Sequence, residues 1–515
     1  MIKNVVNRSL PEHIEGYGAV RPFAGAFATA PDMLRHAPAV KCKKPGESKR
    51  LANLEEAFKK IPVVSGMTLS FHHHFRNGDF VVNEVLAVAE KLGLKDLKVA
   101  LSSIFPIHEP LVKHMKAGTV TQLDTNYMSG PVAKAISQGV CAKPVILRTH
   151  GGRARAIECG QLKIDVAFIA APCVDEYGNI NGVEGETACG SLGYAFPDME
   201  YATHVVAVTN HVEPYPLQRV SIPQTRVDYI VEQDKIGDPK GIVSGTTTVT
   251  KNPVQLKIAS LAAQAIEASG LLKNGFSFQT GAGGASLAVA HFIRQTMKEQ
   301  SIVGSFALGG ITGYLVSMLE EGLFERIIDV QGFDLEAVRS MRTNPRHLEV
   351  GAGMYASPFN SGCVVNQLDC VVLGATEMDT QFNVNVTTGS DGMIMGGSGG
   401  HSDAAAGAKL TIITANLLRG RLPILQENIM CITTPGETVD VLVTEYGICV
   451  NSKRQDLIER FEARGLPLMS IQEMKELAEK IAGKADPVPV NQDKVVGVVE
   501  YRDGTVIDLL YEVSS

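Results

Sequence analysis

The sequence predicts an α/β protein made of two homologous, open, mostly parallel α/β domains, followed by a C-terminal helical and β-hairpin extension. Three observations predict it. Asp165, Val166, Ala167, Asp175, Asn179 and Asn181 recur as Asp369, Cys370, Val371, Asp379, Asn383 and Asn385, each 204 positions further on. That period is far longer than the roughly 20–50 residues of a solenoid unit and matches a whole domain. Short apolar runs also alternate with helix-length amphipathic segments, the pattern of parallel strands joined by right-handed helical crossovers. Finally, 515 residues with 45% hydrophobic and 20% charged side chains are enough for two or three substantial cores. Two related domains place function where they meet.

Residues 1–60 read as an irregular lead-in, with Gly16, Gly18, Pro22 and Gly25 followed by a basic run at Lys41–Lys44. The first domain spans 61–240. Its strand Thr68–Phe71 runs into the polar loop 72–79, and Val81, Val82, Val85, Leu86, Ala89 and Leu92 then recur at helical spacing. Asp79 is placed to cap that helix and Gly93 to end it. The second domain, 241–450, opens the same way. Strand Phe276–Gln279 meets the loop Thr280–Ala285, and Ser286 is placed to cap a helix carrying Leu287, Val289, Ala290, Ile293 and Met297. Carried on without a gap, the repeat sets His204–Thr209 against Ala408–Ile413. In residues 451–515, Gln455–Ala463 and Ile471–Ile481 read as helices and Pro487–Val490 as a linker. Val495–Val499 and Thr505–Leu510 form a hairpin around Asp503-Gly504, with no catalytic role assigned.

Composition also excludes function classes. A net charge of −7 gives no footprint for nucleic acid, so an anion-binding chain of this kind must gather its cations locally. Nine scattered Cys without a CxxC pair suit reduced thiols in a cytoplasmic protein. No apolar signal core follows Met1, and no run of 18 apolar residues marks a membrane span.

Parallel sheets bind ligands beyond the carboxyl ends of their strands, where both loops named above lie. Gly281, Gly283 and Gly284 let the backbone approach a ligand, and the helix start behind them offers N–H groups to a phosphate or a developing oxyanion. A dinucleotide reading meets GxGxxS rather than GxGxxG, and no ribose-binding acid follows the next strand, Ile302–Leu308. Gly396, Gly397, Gly399, Gly400, His401 and Asp403 form a second such turn; its first-domain counterpart, Gly190–Gly193, is poorer in glycine. His72, His73 and His74 with Arg76 make the most cationic short loop. A metal reading lacks an accompanying Asp, Glu or Cys cluster, so recognition of an anion is preferred, with Arg76 offering a carboxylate fork. Arg148, His150 and Arg153 form a second cationic turn around Gly151-Gly152. Glu445 ends a strand, where it either orients a catalytic loop or caps one.

At FHHHFRNGD (71–79), APCVDEYGNIN (171–181), TGAGGASLAVA (280–290), GGSGGHSD (396–403) and VTEYG (443–447) the chain resembles the CoA-transferase superfamily, and within it the citrate lyase alpha-chain (citrate CoA-transferase) family. The resemblance implies an active site between two CoA-transferase-like domains, with the Gly281–Gly284 and Gly396–Gly400 loops lining a thioester site. It implies citrate as substrate and an acyl carrier (gamma) subunit whose CoA-type thioester arm, or acetyl-CoA, supplies the acyl group. A citryl-cleaving (beta) subunit and an oligomeric assembly complete the picture, with no metal or nicotinamide. Many members of the superfamily carry a nucleophilic Glu after the strand matching Ile302–Leu308. Here that turn reads Gly309-Gly310-Ile311-Thr312-Gly313, with Glu320 and Glu321 well beyond it. Direct exchange through a mixed anhydride is therefore expected. The catalytic set is Gly309, Gly310, Gly397, His401 and Glu445, and the substrate set is His72, His73, Arg76, Arg148, His150 and Arg153. The alternatives are an acyl-CoA hydrolase or a transferase with a glutamyl intermediate, a carrier-docking scaffold, and a nicotinamide oxidoreductase.

Overall fold

The computed structural model describes residues 1–29, 36–243, 248–281 and 283–513; Ala282, within the first glycine loop, lies outside them. Two large sheets organise the chain. The first runs in the order 506–513, 490–500, 145–147, 120–125, 97–101, 68–71, 166–171, 204–209, 229–232, 50–51. The second runs 347–349, 324–332, 304–311, 277–280, 370–374, 410–414, 441–444, 447–450. Seven strands of each correspond in order, and all of these pair in parallel. Central strands such as Val166–Ala171 are buried on both faces, as helices packed on each side require. Each half has its own core.

The repeated residues fold alike. Asp165 accepts from the Thr68 N–H and Asp369 from the Ser277 N–H, each tying the first strand of its half to a neighbour. Asp175 accepts from the backbone of Tyr177 and Asn179, and Asp379 from that of Gln381 and Asn383. Asn179 then accepts from Gln224 N–H, and Asn383 from Gly436 N–H. The gapless register does not continue as expected. Val166 pairs with His204 but Cys370 pairs with Leu410, so the offset has grown to 206 in the last crossover. The connecting loop and helix absorb two extra residues without disturbing the strands they join.

Local boundaries differ from expectation for identifiable reasons. The helix after the histidines is Val81–Lys91, with Asp79 accepting from Val81 N–H from one position before the cap. Gly283, not Ser286, is the N-cap of the helix Gly284–Glu299, so Ser286 sits inside its first turn. The strand expected over 302–308 is Gly304–Ile311; Gly309 and Gly310 are strand residues at a register shift rather than turn residues.

Neither end of the chain is a separate appendage. Arg50–Leu51 forms an edge strand of the first sheet, and the C-terminal hairpin extends its other edge, where Val499 pairs with Leu147. Among the described residues, no helix is long and apolar enough to cross a membrane.

The halves embrace reciprocally. Before its last helix, the first half sends Gly190–Gly193 against the strand ends of the second, where a Cβ on Gly193 would overlap the Val350 carbonyl oxygen. The second half sends Gly396–Gly400 against the strand ends of the first. There Gly399 N–H donates to Asn126 O at 3.0 Å, and Met128 N–H donates to Gly396 O at 3.1 Å.

Candidate active site

The cationic loop approaches the second domain directly. Arg76, held at φ 52°, places its guanidinium 4.8 Å from the Phe105 ring of its own half and 4.7 Å from the Phe333 ring of the other. Burial lowers its pKa to about 10, while the Tyr127 and Tyr194 phenols favour its charge. It remains a cation at any physiological pH, in a site of low dielectric where charge acts strongly. Phe333 packs on Gly310, where a side chain would overlap the ring, and Gly309 lies against the Gln279 side chain, two residues before Gly281. Arg76 thus faces the glycine-bearing strand ends of the second sheet. Gln331 ties the two halves here by donating to His73 O at 2.8 Å.

Beside Arg76, His73 stacks on His150 at 5.5 Å, and each lies 4.4 Å from the Tyr194 ring. Ser102 Oγ accepts the His73 N–H and lies 2.6 Å from its Nδ1. Burial, reinforced for His73 by His150 and Arg76 and for His150 by Arg153 and Arg76, holds both rings neutral, with the His150 pKa near 3. Neutral imidazoles donate hydrogen bonds without adding charge.

Several further cationic candidates are committed to internal partners. Arg153 makes a bidentate pair with Asp198 at 2.7 and 2.8 Å and also donates to Ser70. His72 Nε2 lies 3.2 Å from the same carboxylate, and all three side chains are buried. Burial pushes Asp198 up, but Arg153 and His72 outweigh it and hold the carboxyl well below its usual range. Arg148 binds Asp124 at 3.0 Å and Glu500. Expected as substrate ligands, Arg148 and Arg153 instead neutralise buried carboxylates, because a buried charge without a partner is costly, and His72 packs against one of them. His74 bonds Ala170 O at 2.7 Å.

His401 is also corrected. Its Nε2 lies 2.9 Å from Gly374 O and must donate there, which leaves Nδ1 to accept from Thr434 Oγ1 at 2.7 Å. Both nitrogens are occupied, and burial lowers its pKa to about 4, so it fixes the loop rather than moving protons. Gly397 and Gly396 are small because side chains there would overlap the Asn126 and Val386 carbonyl oxygens; a Cβ on Gly400 would lie 2.5 Å from Tyr355 Oη. Gly399 runs beside Thr149, and its carbonyl accepts from His150 N–H at 2.8 Å. This loop is the joint between the halves. Glu445 caps a loop, accepting from Leu417 N–H at 2.9 Å, at the end of a strand three positions across the sheet from 277–280.

Gly281 and Gly283 are different. Among the described residues their nearest would-be contact is Ser286 Oγ, at 3.6 and 4.0 Å, so no described atom crowds either glycine. A cleft of about 410 Å³ begins beside Ala285, lined by Ala375, Thr414, Asn416, Leu418 and Arg419.

Sequence reasoning missed Phe105, Phe333, Tyr127, Tyr194, Gln279 and Tyr355, isolated residues in no motif. It also passed over Asp403 as a working residue. Asp403 lies in the first turn of the helix His401–Gly407, yet its carboxylate crosses the seam to accept from Thr149 Oγ1 and Gly151 N–H, both at 2.8 Å, with Arg502 Nε 3.4 Å away. Burial raises its pKa to about 6 against those favourable contacts.

Two matched parallel sheets, meeting strand end to strand end around the Arg76 guanidinium and a glycine-rich helix start, define a CoA-transferase-like protein. The citrate lyase alpha-subunit (CitF) family profile matches residues 47–513. Citrate lyase alpha chains of Klebsiella pneumoniae and Haemophilus influenzae are 47% and 46% identical, covering 96% and 98% of this chain and 96% and 99% of their own lengths. A solved citrate lyase alpha subunit from Streptococcus mutans, in complex with citrate, superposes with a TM-score of 0.96 at 49% identity, covering both chains fully. The chain belongs to the citrate lyase alpha-subunit family and is an enzyme of that family. A Pseudomonas malonate decarboxylase hetero-tetramer yields a chain at TM-score 0.62 and 18% identity, over 85% of this chain and 90% of that one, which extends the likeness of fold.

Proposed function

We propose that this chain exchanges acetyl for citryl on a thioester carrier, without acylation of the enzyme itself. A citrate carboxylate oxygen attacks the acetyl thioester carbonyl and the thiolate leaves, giving an acetyl–citryl mixed anhydride. The same thiolate then attacks the citryl carbonyl, acetate departs, and the citryl thioester is formed. The carrier arm belongs to an acyl carrier (gamma) subunit, with acetyl-CoA as a substitute, and the product passes to a citryl-cleaving (beta) subunit in a larger cytoplasmic assembly. No metal or nicotinamide takes part.

The observation that carries this reading is Arg76, a half-buried cation reaching across the seam to the Phe333 ring, which packs on Gly310 at the strand end. It suits a carboxylate, and the neutral His73 and His150 beside it add donors. The open Gly281–Gly284 turn offers N–H groups to each tetrahedral oxyanion, where one fixed donor is worth roughly 2.7–4 kcal/mol. The adjacent cleft of about 410 Å³ takes the thioester arm. Holding a weak carboxylate nucleophile in line supplies much of the remaining barrier reduction. Support for a non-covalent route comes from Glu320 and Glu321, which pair with Arg339 and Lys298 on the surface at 2.7 and 2.8 Å, away from the strand end. The test is to incubate enzyme with acetyl-CoA, add hydroxylamine or borohydride, and map the peptides. Unmodified glutamates are expected; one modified Glu refutes direct exchange.

A further inference from the structure

Away from the seam, the N-terminal segment around Gly16–Arg21 covers one face of the first sheet and leaves a cavity of about 430 Å³. That volume is within the range of about 300–1,000 Å³ of small-molecule sites. Tyr17, Arg21, Lys98, Arg148, Gln161 and Glu500 line it, with Gly504 of the hairpin turn at one wall. Arg155 stands directly behind that wall, since a Cβ on Gly504 would overlap its Nη2.

The charges here do not balance. Four cations, Arg21, Lys98, Arg148 and Arg155, surround two carboxylates, Asp124 and Glu500. The nearby Asp503 carboxylate is turned to Thr505, accepting from its N–H at 2.9 Å and its hydroxyl at 2.6 Å. Arg155 is fully buried. Its Nη1 donates to Gln161 at 2.8 Å, its Nη2 is 3.8 Å from Glu500, and its guanidinium lies 5.7 Å from the Phe359 ring. Nε and Nη2 find no hydrogen-bond partner among the described residues. In a chain of net charge −7, cations that outnumber the carboxylates, with Arg21 Nη2 donating to Asp503 O at 2.7 Å and buried donors of Arg155 unused, describe a site built for an anion. Tyr17 donates to Glu500 at 2.7 Å and Gln122 to Gly16 O at 2.7 Å, so the covering segment is already fastened down at this point.

We propose that this cavity binds a tetrahedral dianion, inorganic phosphate or a phosphate monoester, with Arg21 and Lys98 at its mouth and Arg148 and Arg155 behind. A tetrahedral oxyanion matches the local surplus of positive charge and the several N–H donors, and the cavity, at about 430 Å³, is much larger than phosphate alone needs. The site is separate from the catalytic seam, and its occupancy fastens the N-terminal segment to the sheet and to the hairpin turn.

The test is thermal unfolding of the full-length protein titrated with inorganic phosphate and, in a second arm, glycerol phosphate. A saturable rise in midpoint is expected, with apparent affinity at least about tenfold weaker in Arg21→Ser and Arg155→Met and unchanged in Arg76→Ala. Tighter binding of the monoester identifies a phosphorylated metabolite as occupant, and equal or tighter binding of phosphate identifies the free ion; both uphold the site. Should Arg155→Met not fold, Arg21→Ser decides alone, because Arg21 is exposed. No saturable rise up to tens of millimolar overturns the proposal. So does a rise unaltered by the Arg21 change, or one abolished by Arg76→Ala, which would put the anion at the seam.

Discussion

Arg76 is the residue whose removal tests the proposed citrate site. It contacts ring faces on both halves. Arg76→Ala is expected to raise the citrate KM roughly tenfold to a hundredfold, the loss of about 1.5–3 kcal/mol typical of a charged hydrogen bond. Steady-state kinetics in citrate check this, and an unchanged KM refutes the assignment. Buried histidines set the acid limit. With folded pKa values of about 3 for His150 and about 4 for His74 and His401, the unfolded chain binds more protons than the native one below the ordinary histidine value of 6.5. Stability is then present above about pH 6.5 and is lost as pH falls toward 4, each histidine contributing about 1.4 kcal/mol per pH unit within that window. Asp403, raised to about 6, has the opposite sign: it favours the native state at low pH and loses that contribution as pH rises from about 4 to 6. Among these four groups the histidines outweigh the carboxyl, so their combined effect is a fall in denaturant midpoints on acidification below pH 6. His401→Gln should roughly halve that slope. The approach of His73 and Arg76 to the seam was legible from the sequence, because a loop at the carboxyl end of a parallel strand lies on the side of the sheet where ligands bind. The roles of His72, Arg148 and Arg153 were not, because Asp198, Asp124 and Glu500 are distant in sequence and give no local sign that they neutralise them.

Among the elements, the two glycine loops look alike in sequence and work differently. At 396–400 the glycines let one backbone lie against another; at Gly281 and Gly283 they meet no described atom closer than Ser286 Oγ. Composition cannot tell these apart, since the same lack of a Cβ serves both, and only the partner surface decides. The difference is testable. Gly397→Ala is expected to destabilise the protein by about 1–3 kcal/mol, because the new methyl meets the Asn126 carbonyl and Tyr127 Cα. Gly281→Ala should change stability by less than about 0.5 kcal/mol while raising the KM for the acetyl donor. Urea midpoints and donor kinetics on the two variants give the answer, and equal destabilisation would contradict it. The strand and helix periodicities placed most elements within a few residues. The strand Gly304–Ile311 ran past its expected end because glycine, read as a turn signal, here admits the Phe333 ring and a register shift.

For the whole molecule, the repeat made the paired sheets legible, since each Asp and Asn recurs wherever the same turn must be held. The chain ends were not legible, because an edge strand is recruited by tertiary pairing rather than by any local signal. The hairpin, given no role at the outset, adds two strands to the first sheet, supplies Glu500 to Arg148 and sends Arg502 across to Ala356 O at 2.8 Å. Truncation after Val488 would leave Arg148 buried with one carboxylate fewer and the 145–147 strand as a bare edge. Such a chain is expected to aggregate on expression, which solubility and circular dichroism would reveal.

The reciprocal embrace of the halves has one more consequence. Two identical copies related by a twofold axis offer whatever sits on that axis the same wall twice, which suits a ligand that is its own mirror partner and little else. A reaction between two unlike molecules needs unlike walls. Joining the copies in one polypeptide removed that constraint: the loop after Phe71 accumulated histidines and an arginine, while its twin after Thr280 kept only glycine, alanine and serine. Symmetry supplied the architecture, and its breaking supplied two addresses.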